Sequence, residues 1–282
     1  MTTAAIGVIG GSGLYRLFDR GDAESIAVDT PYGPPAGPVT IGELGGRRVA
    51  FIARHGERHS LPPHRVPYRA NVWALASLGV RVIVTSSAVG GISARATPGA
   101  FLVPDQLIDR THGRPDTFFD GTDVQHLPAA DPFDPAMHEI AVGALRSLGE
   151  RVIPDGTSVV IQGPRFSTRA ESAWFRAAGA DIVNMTQYPE AVLAAELNIG
   201  LATISFITDT DAGTADGDTA ESADAALVLE RMANAGPRIR AAIAATVAAV
   251  PDGYRARRLI PEAAVERVLS APVRRDALED AR

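Results

Sequence analysis

The chain reads as a single α/β domain built on a mixed, mostly parallel sheet flanked by helices. Three observations predict this. Strand-like and helix-like segments alternate along the sequence, with no internal repeat. The first apolar strand, Ile6-Gly7-Val8-Ile9, runs straight into a glycine loop, Gly10-Gly11-Ser12-Gly13, placed where α/β sheets carry their ligand loops. No composition break divides the chain. The Gly/Pro/Asp-rich stretch from His112 to Pro135 is an excursion from the domain, and a functional loop or a disordered surface loop accounts for it equally. Residues 1–250 form the expected domain, and residues 251–282 an arginine-rich, partly helical tail.

The elements follow in order. Val39–Leu44 and Val49–Ala53 flank Gly45-Gly46 and predict a hairpin. Tyr68–Leu78 has helical character and stops at Gly79, and Val80–Thr85 is a β-branched run suited to a buried strand. Phe101–Ile108 is a further apolar segment, and Pro135–Leu148 has helical spacing ending at Gly149. Thr157–Ile161 predicts a strand. Thr168 with Glu171 forms a capping-box signature for a helix ending near Gly179. Ile182–Met185 and Leu201–Thr208 predict strands separated by a helix from Pro189 to about Leu197, and Ser222–Val250 is one long alanine-rich helical stretch.

Composition removes whole classes of chemistry. Cysteine is absent, which excludes disulfides, thiolate nucleophiles and cysteine-ligated zinc. All 27 basic Lys+Arg positions are arginine, so there is neither a Walker-type phosphate loop nor a Schiff-base lysine. The net charge of −6 argues against a nucleic-acid surface. No apolar run approaches the ~20 residues that span a bilayer, and no basic leader precedes the first strand. The expectation is a cytoplasmic protein without a membrane partner.

Candidate ligand residues cluster after predicted strands. The glycine loop follows the first strand, Arg54-His55-Gly56 follows Ala53, and Ser86-Ser87-Ala88 with Gly90-Gly91 follows Val80–Thr85. Asn184-Met185-Thr186 and Asp209-Thr210-Asp211 close two later strands. A guanidinium that clamps two oxygens, small hydroxyls and free amides together suit phosphate. Each alone has a plainer reading as a tight turn, a surface pair or a helix cap. Asp209 and Asp211 are two apart, and in an extended segment such residues share a side. Burial and mutual repulsion would raise one pKa. A neutral carboxyl could then donate to a ring nitrogen while its other oxygen accepts from an exocyclic amine. A solvated loop pair, or an oxygen-ligand metal site, fits the same two residues.

Five ordered motifs carry a family resemblance: Gly10-Gly11-Ser12-Gly13, Ala53-Arg54-His55-Gly56, Gln162-Gly163-Pro164-Arg165-Phe166-Ser167, Arg169-Ala170-Glu171-Ser172 and Asn184-Met185-Thr186. From about Ile6 to about Val250 the chain resembles the trimeric purine nucleoside phosphorylases, and within them the S-methyl-5′-thioadenosine phosphorylases. The resemblance implies phosphorolysis, in which phosphate attacks the anomeric carbon of a nucleoside and the purine leaves. It implies that Ser12, Arg54, His55, Ser87, Ala88 and Thr186 hold phosphate, and that Met185 lies against the ribose. Phe166 and Ser167 would line the base pocket, and Asn184 would brace its neighbours. Asp209 would protonate or hydrogen-bond N7 of the departing base, with Asp211 supporting the amino group. Related enzymes for 6-oxopurines carry asparagine where Asp209 stands, so aspartate favours 6-aminopurines. The family implies no metal and no organic cofactor, with inorganic phosphate as co-substrate.

The resemblance weakens at the 5′ end of the substrate. Relatives that take a methylthio group surround it with bulky aliphatics early in the last long helix, where Ser222, Ala225 and Ala226 align here. Adenosine, a 5′-halogenated deoxyadenosine, or the 6-oxo nucleosides methylthioinosine and inosine therefore stay open as substrates. His126 matches a family histidine that reaches a neighbour's 5′ pocket, which implies a homotrimer. Two readings from other classes remain. A nicotinamide-dependent oxidoreductase would use the glycine loop and Asp29, yet Leu14–Phe18 is too short for the intervening helix. A non-catalytic nucleoside-binding protein would need the base pocket but not Arg54.

Overall fold

The computed structural model describes residues 4–19, 21–212 and 223–273. Its central strands are β1 (Ile6–Gly10), β4 (Arg47–Ala53), β5 (Val82–Gly91) and β11 (Gly200–Asp209), paired parallel as β4-β1-β5-β11. Alternate residues of these strands feed two different cores, as period-2 geometry requires of a sheet covered on both faces. Ile9, Ile52 and Ile83 face one way. They meet Val72 and Leu75 of α1 (Tyr68–Ser77), Leu193 of α4 (Gln187–Glu196) and Val265 of α6 (Glu262–Leu269). Val8, Phe51 and Val84 face the other way, onto Met137 and Leu145 of α2 (Pro135–Ser147) and Ile239 and Ile243 of α5 (Ala225–Ala249).

The hairpin of β3 (Val39–Leu44) with β4 is antiparallel, and β2 (Ala23–Ile26) extends it at the edge. On the far side the sheet branches. The last residues of β5, Gly90 and Gly91, pair antiparallel with β10 (Ile182–Asn184), which continues through β9 (Thr157–Ile161) to the edge strand β7 (Gln106–Arg110). The short strands β6 (Phe101–Leu102) and β8 (Val152–Ile153) attach through β11. Parallel pairings predominate in a mixed sheet, as expected from the sequence.

Two local expectations change. Ser86, Ser87, Ala88, Gly90 and Gly91 do not follow the strand; they are part of it. Ile204–Ile207 of β11 pairs with Ser86–Val89, so the ladder carries small residues that lack strand propensity of their own. The apolar segment from Phe101 to Ile108 is two strands, interrupted at Pro104.

The capping box forms as read. Thr168 Oγ1 accepts from the Glu171 amide at 3.1 Å while Glu171 accepts from the Thr168 amide at 2.7 Å, opening α3 (Arg169–Ala177). The stretch between β7 and α2 contains no helix or strand, yet it is tied down. Glu196 accepts from the Thr117 hydroxyl and the Phe118 amide at 2.6 and 2.7 Å, and Arg257 donates to the Asp131 and Phe133 carbonyls. Beyond residue 250, α6 lies on α1, where Trp73 Nε1 donates to the Val268 carbonyl at 3.0 Å. No described helix is long and apolar enough to cross a membrane.

Candidate active site

The ends of β1, β4, β10 and β11 and the middle of β5 open into one cavity of about 300 Å³, within the range of small-molecule sites. Ser12 comes from the loop after β1, Arg54 and His55 from the end of β4, and Ser87 and Ala88 from β5. Met185 and Thr186 follow β10, and Asp209 and Asp211 stand at the end of β11. The register explains the glycines. A β-carbon on Gly11 would lie 2.4 Å from the Ser86 carbonyl oxygen and 2.7 Å from Arg54 Nη1. One on Gly90 would lie 2.9 Å from Asp209 Oδ1. Both glycines are there to let chains approach.

One wall is polar and carries a fully buried cation. Arg54, 1% exposed, gives its Nε–Nη2 edge to Glu190 at 2.8 and 2.7 Å; Nη2 also donates to Thr85 Oγ1, and Nη1 donates to the Ser86 carbonyl at 2.9 Å. This corrects the two-oxygen clamp expected from the sequence. The fork is spent on a buried carboxylate, and of five guanidinium N–H groups one on Nη1 remains for an anion. His55 Nδ1 lies 2.8 Å from the Leu61 carbonyl, which can only accept, so the proton sits on Nδ1 and Nε2 is an acceptor. Burial, with the Arg54 charge beside it, pushes the His55 pKa down to about 3. The ring is stacked on His59 at 4.4 Å, a cavity residue that the sequence reading passed over.

The aspartates line the same cavity. Asp209 and Asp211 are 2% and 1% exposed, and burial raises both pKa values. Hydrogen bonds oppose the shift at Asp209, where Thr208 Oγ1 donates to Oδ2 at 2.7 Å and the Asp211 amide donates to Oδ1 at 2.8 Å. The two carboxyls are not brought together by an extended segment. Asp211 has φ +53°, so the chain turns after β11 and the Asp211 amide folds back onto Asp209. Ser167 does not line the cavity. Its hydroxyl and that of Ser172 favour the charged form of Asp211, against the larger effect of burial.

The remaining surface is apolar, formed by Ile161, Pro164, Phe166, Val183, Met185 and the start of α5. Asn184 braces this corner: its Oδ1 accepts from the Thr186 and Gln187 amides, both at 2.7 Å. At α5 the structure brings in Ala225 together with Val228 and Leu229. Ala226, one step round the helix, is exposed and outside the lining, and Ser222 falls outside the described residues. Bulky aliphatics are thus present at i+3 and i+4 from Ala225, a spacing that could have found them once Ala225 was placed. His126 is exposed on the 111–134 excursion and does not reach its own chain's cavity. Among the described residues no group of three or more His, Asp or Glu is arranged to hold a metal ion.

The sequence model of the Phosphorylase superfamily matches residues 5–248. The chain belongs to this superfamily. The phosphorylase is 53% identical over 219 residues to an S-methyl-5′-thioadenosine phosphorylase of Mycobacterium tuberculosis, covering 78% of this chain and 80% of the relative. It is 46% identical over 256 residues to a purine nucleoside phosphorylase of Streptomyces coelicolor, covering 88% and 90%. Its fold superposes on the methylthioadenosine phosphorylase of Schistosoma mansoni in complex with adenine with a TM-score of 0.82, at 33% identity, over 97% of this chain and all of that one. Four of the five motifs quoted above contribute residues to one cavity in this phosphorylase; Arg169-Ala170-Glu171-Ser172 contributes none to the lining. What they do not announce is the support beneath it: Glu190 and Thr85 under Arg54, Thr208 beside Asp209, and Gln187, whose Nε2 donates to Ser87 Oγ at 3.2 Å and Ser205 Oγ at 2.9 Å.

Proposed function

We propose that the chain is a phosphate-dependent S-methyl-5′-thioadenosine phosphorylase, releasing adenine and 5-methylthioribose 1-phosphate. One observation carries this reading: two buried carboxyls with raised pKa values share the lining of a single cavity with small hydroxyls and a guanidinium. The polar wall suits an inorganic phosphate held by Ser12, Ser87, Thr186, the Ala88 backbone and the one remaining N–H of Arg54. Because Glu190 neutralises Arg54 and His55 is uncharged, phosphate keeps its full negative charge as it approaches the anomeric carbon. His55 Nε2 would accept a hydrogen bond from the hydroxyl of a singly protonated phosphate.

In the reaction an oxygen of phosphate forms a bond to C1′ as the bond from C1′ to N9 breaks. The ribosyl group passes through an oxocarbenium-like state that the phosphate charge stabilises. The electron pair of the broken bond goes to the purine, and the protonated form of Asp209, which burial favours, would deliver its proton to N7. Asp211 orients the 6-amino group. Val228 and Leu229 receive the methylthio group, restoring the apolar contact that the sequence reading found missing. Phosphate is the co-substrate, and neither metal nor organic cofactor is needed for these steps. The working form is a cytoplasmic homotrimer in which His126 serves a neighbour's 5′ pocket, and the pathway is purine and methionine salvage.

The Streptomyces relative, named for purine nucleosides in general, keeps adenosine and inosine as rival substrates. A phosphorolysis panel of methylthioadenosine, methylthioinosine, adenosine, inosine and a 5′-halogenated deoxyadenosine decides among them. The highest kcat/KM should fall on methylthioadenosine, with no base released when phosphate is omitted. A preference for inosine, or nucleoside binding without phosphate-dependent release, overturns the proposal.

A further inference from the structure

We propose that Arg114 is a positioning residue that sets the nucleoside half of the cavity, although it lies outside the cavity lining. It resides on the excursion between β7 and α2 and is 8% exposed. Its Nη2 donates to the Gln162 carbonyl at 2.9 Å and the Ile161 carbonyl at 3.4 Å. Its Nη1 donates to the Met185 carbonyl at 3.0 Å and the Tyr188 carbonyl at 2.6 Å. Nε donates to Gln162 Oε1 at 3.2 Å, and the guanidinium stands 5.5 Å from the Tyr68 ring centre.

These acceptors are not scattered. Ile161 ends β9 and leads through Gln162 to the loop that carries Pro164 and Phe166; Met185 follows β10; Tyr188 sits at a non-helical step in the first turn of α4. Ile161, Pro164, Phe166 and Met185 all line the apolar side of the cavity. Where β9 and β10 stop pairing, their carbonyls lose ladder partners and must be satisfied otherwise. A planar guanidinium with donors fixed in a fork can span carbonyls from three chain segments at once, and an ammonium cannot. None of the ion pairs among the described residues involves Arg114, so backbone dipoles hold its charge. The phosphate wall has its own direct partners: Ser12, Arg54, His55 and Ser87 receive no bond from Arg114, and the Thr186 amide donates to Asn184.

The proposal rests on the phosphorolysis reading, and its test keeps the two separable. Arg114→Lys and Arg114→Gln are compared with wild type for nucleoside KM and kcat, phosphate KM, and melting temperature. Misplacing the ribose and base contacts should lower kcat/KM for the nucleoside by about tenfold or more in both variants while phosphate KM changes by less than about twofold. A merely structural brace would lower the melting temperature with both KM values unchanged, and that result overturns the proposal. An equal loss toward both substrates also overturns it. If Arg114→Gln does not fold, Arg114→Lys alone decides. Should wild type lack phosphorolysis, the functional reading falls by itself; calorimetric titration with adenine then tests Arg114 directly, and unchanged adenine affinity in Arg114→Lys refutes its role.

Discussion

Replacing Glu190 with glutamine probes the buried charge pair and the anion wall together. Glu190 and Arg54 have side chains only 2% and 1% exposed and meet through two bonds at 2.7 and 2.8 Å. Glutamine keeps one acceptor but removes the charge, leaving a guanidinium buried without a counter-ion. Breaking one side of such a pair costs about 3–5 kcal/mol. At roughly 2–4 °C per kcal/mol for a domain of this size, the melting temperature should fall by about 6–20 °C. Phosphate should then reverse much of the loss. An anion reaching the free Nη1 hydrogen replaces the missing carboxylate, and at an effective dielectric of 20 and ~6 Å a unit charge contributes roughly 3 kcal/mol of attraction. Stability rises with ligand as RT ln(1 + [L]/Kd), so the variant, with the lower Kd, gains more from a given phosphate concentration than wild type does. The assay is thermal denaturation across a phosphate titration at constant ionic strength. A fall of less than about 2 °C without phosphate refutes the weight placed on the pair. A phosphate-induced rise no greater in the variant than in wild type refutes Arg54 as an anion ligand.

Three further outcomes follow from the site. Asp209→Asn should shift preference from 6-amino toward 6-oxo nucleosides, measured as the ratio of adenine to hypoxanthine released from paired substrates; an unchanged ratio counts against its role at N7. Leu229→Ala removes apolar surface worth about 0.8 kcal/mol per methylene, so selectivity for methylthioadenosine over adenosine should drop by about tenfold or more, read from the two kcat/KM values. His55 has a folded pKa of about 3 against 6.5 for the free group. The unfolded chain therefore binds the extra proton first, and this residue withdraws stability as pH falls from 6.5 toward 3, at about 1.4 kcal/mol per unit. Asp209 and Asp211, with raised pKa values, act in the opposite sense, since acid relieves their buried charge. Denaturant unfolding from pH 7 to pH 4 should be less steeply pH-dependent in His55→Gln than in wild type; parallel curves would show that the imidazole is not buried neutral.

Much of the fold was legible because its signals are local. β-branched runs end at glycines, and Thr168 with Glu171 spells out a helix start whose two hydrogen bonds both form. The site was legible to the extent that ligand residues sit at strand ends, where topology brings distant segments together whatever their spacing in sequence. Errors arose where pairing partners decide. Ser86 to Gly91 has little intrinsic strand character, and only β11 lying alongside makes it a strand. Ala226 does not line the 5′ pocket and Val228 and Leu229 do, because each residue turns the helix by about 100°, so neighbours in sequence face different ways.

The support beneath the site was hidden for a different reason. A glutamate inside a helical segment is by default a solvated residue, and nothing adjacent to Glu190 marks it as the counter-ion of a residue 136 positions away. The same holds for Arg114, whose four carbonyl acceptors leave no side-chain signature at all. Sequence motifs report side chains that touch a ligand, because their chemistry is specific. They are silent about groups that hold backbone or neutralise a charge, because any chain of suitable reach could supply them. Arg54 shows the consequence. Read alone it is a free cation offering two parallel donors to phosphate; with Glu190 beneath it, it is a neutral pair offering one. Under the proposed phosphorolysis, the anion wall would bind mainly through hydroxyls and amides, leaving the charge on the nucleophile to face the developing ribosyl cation.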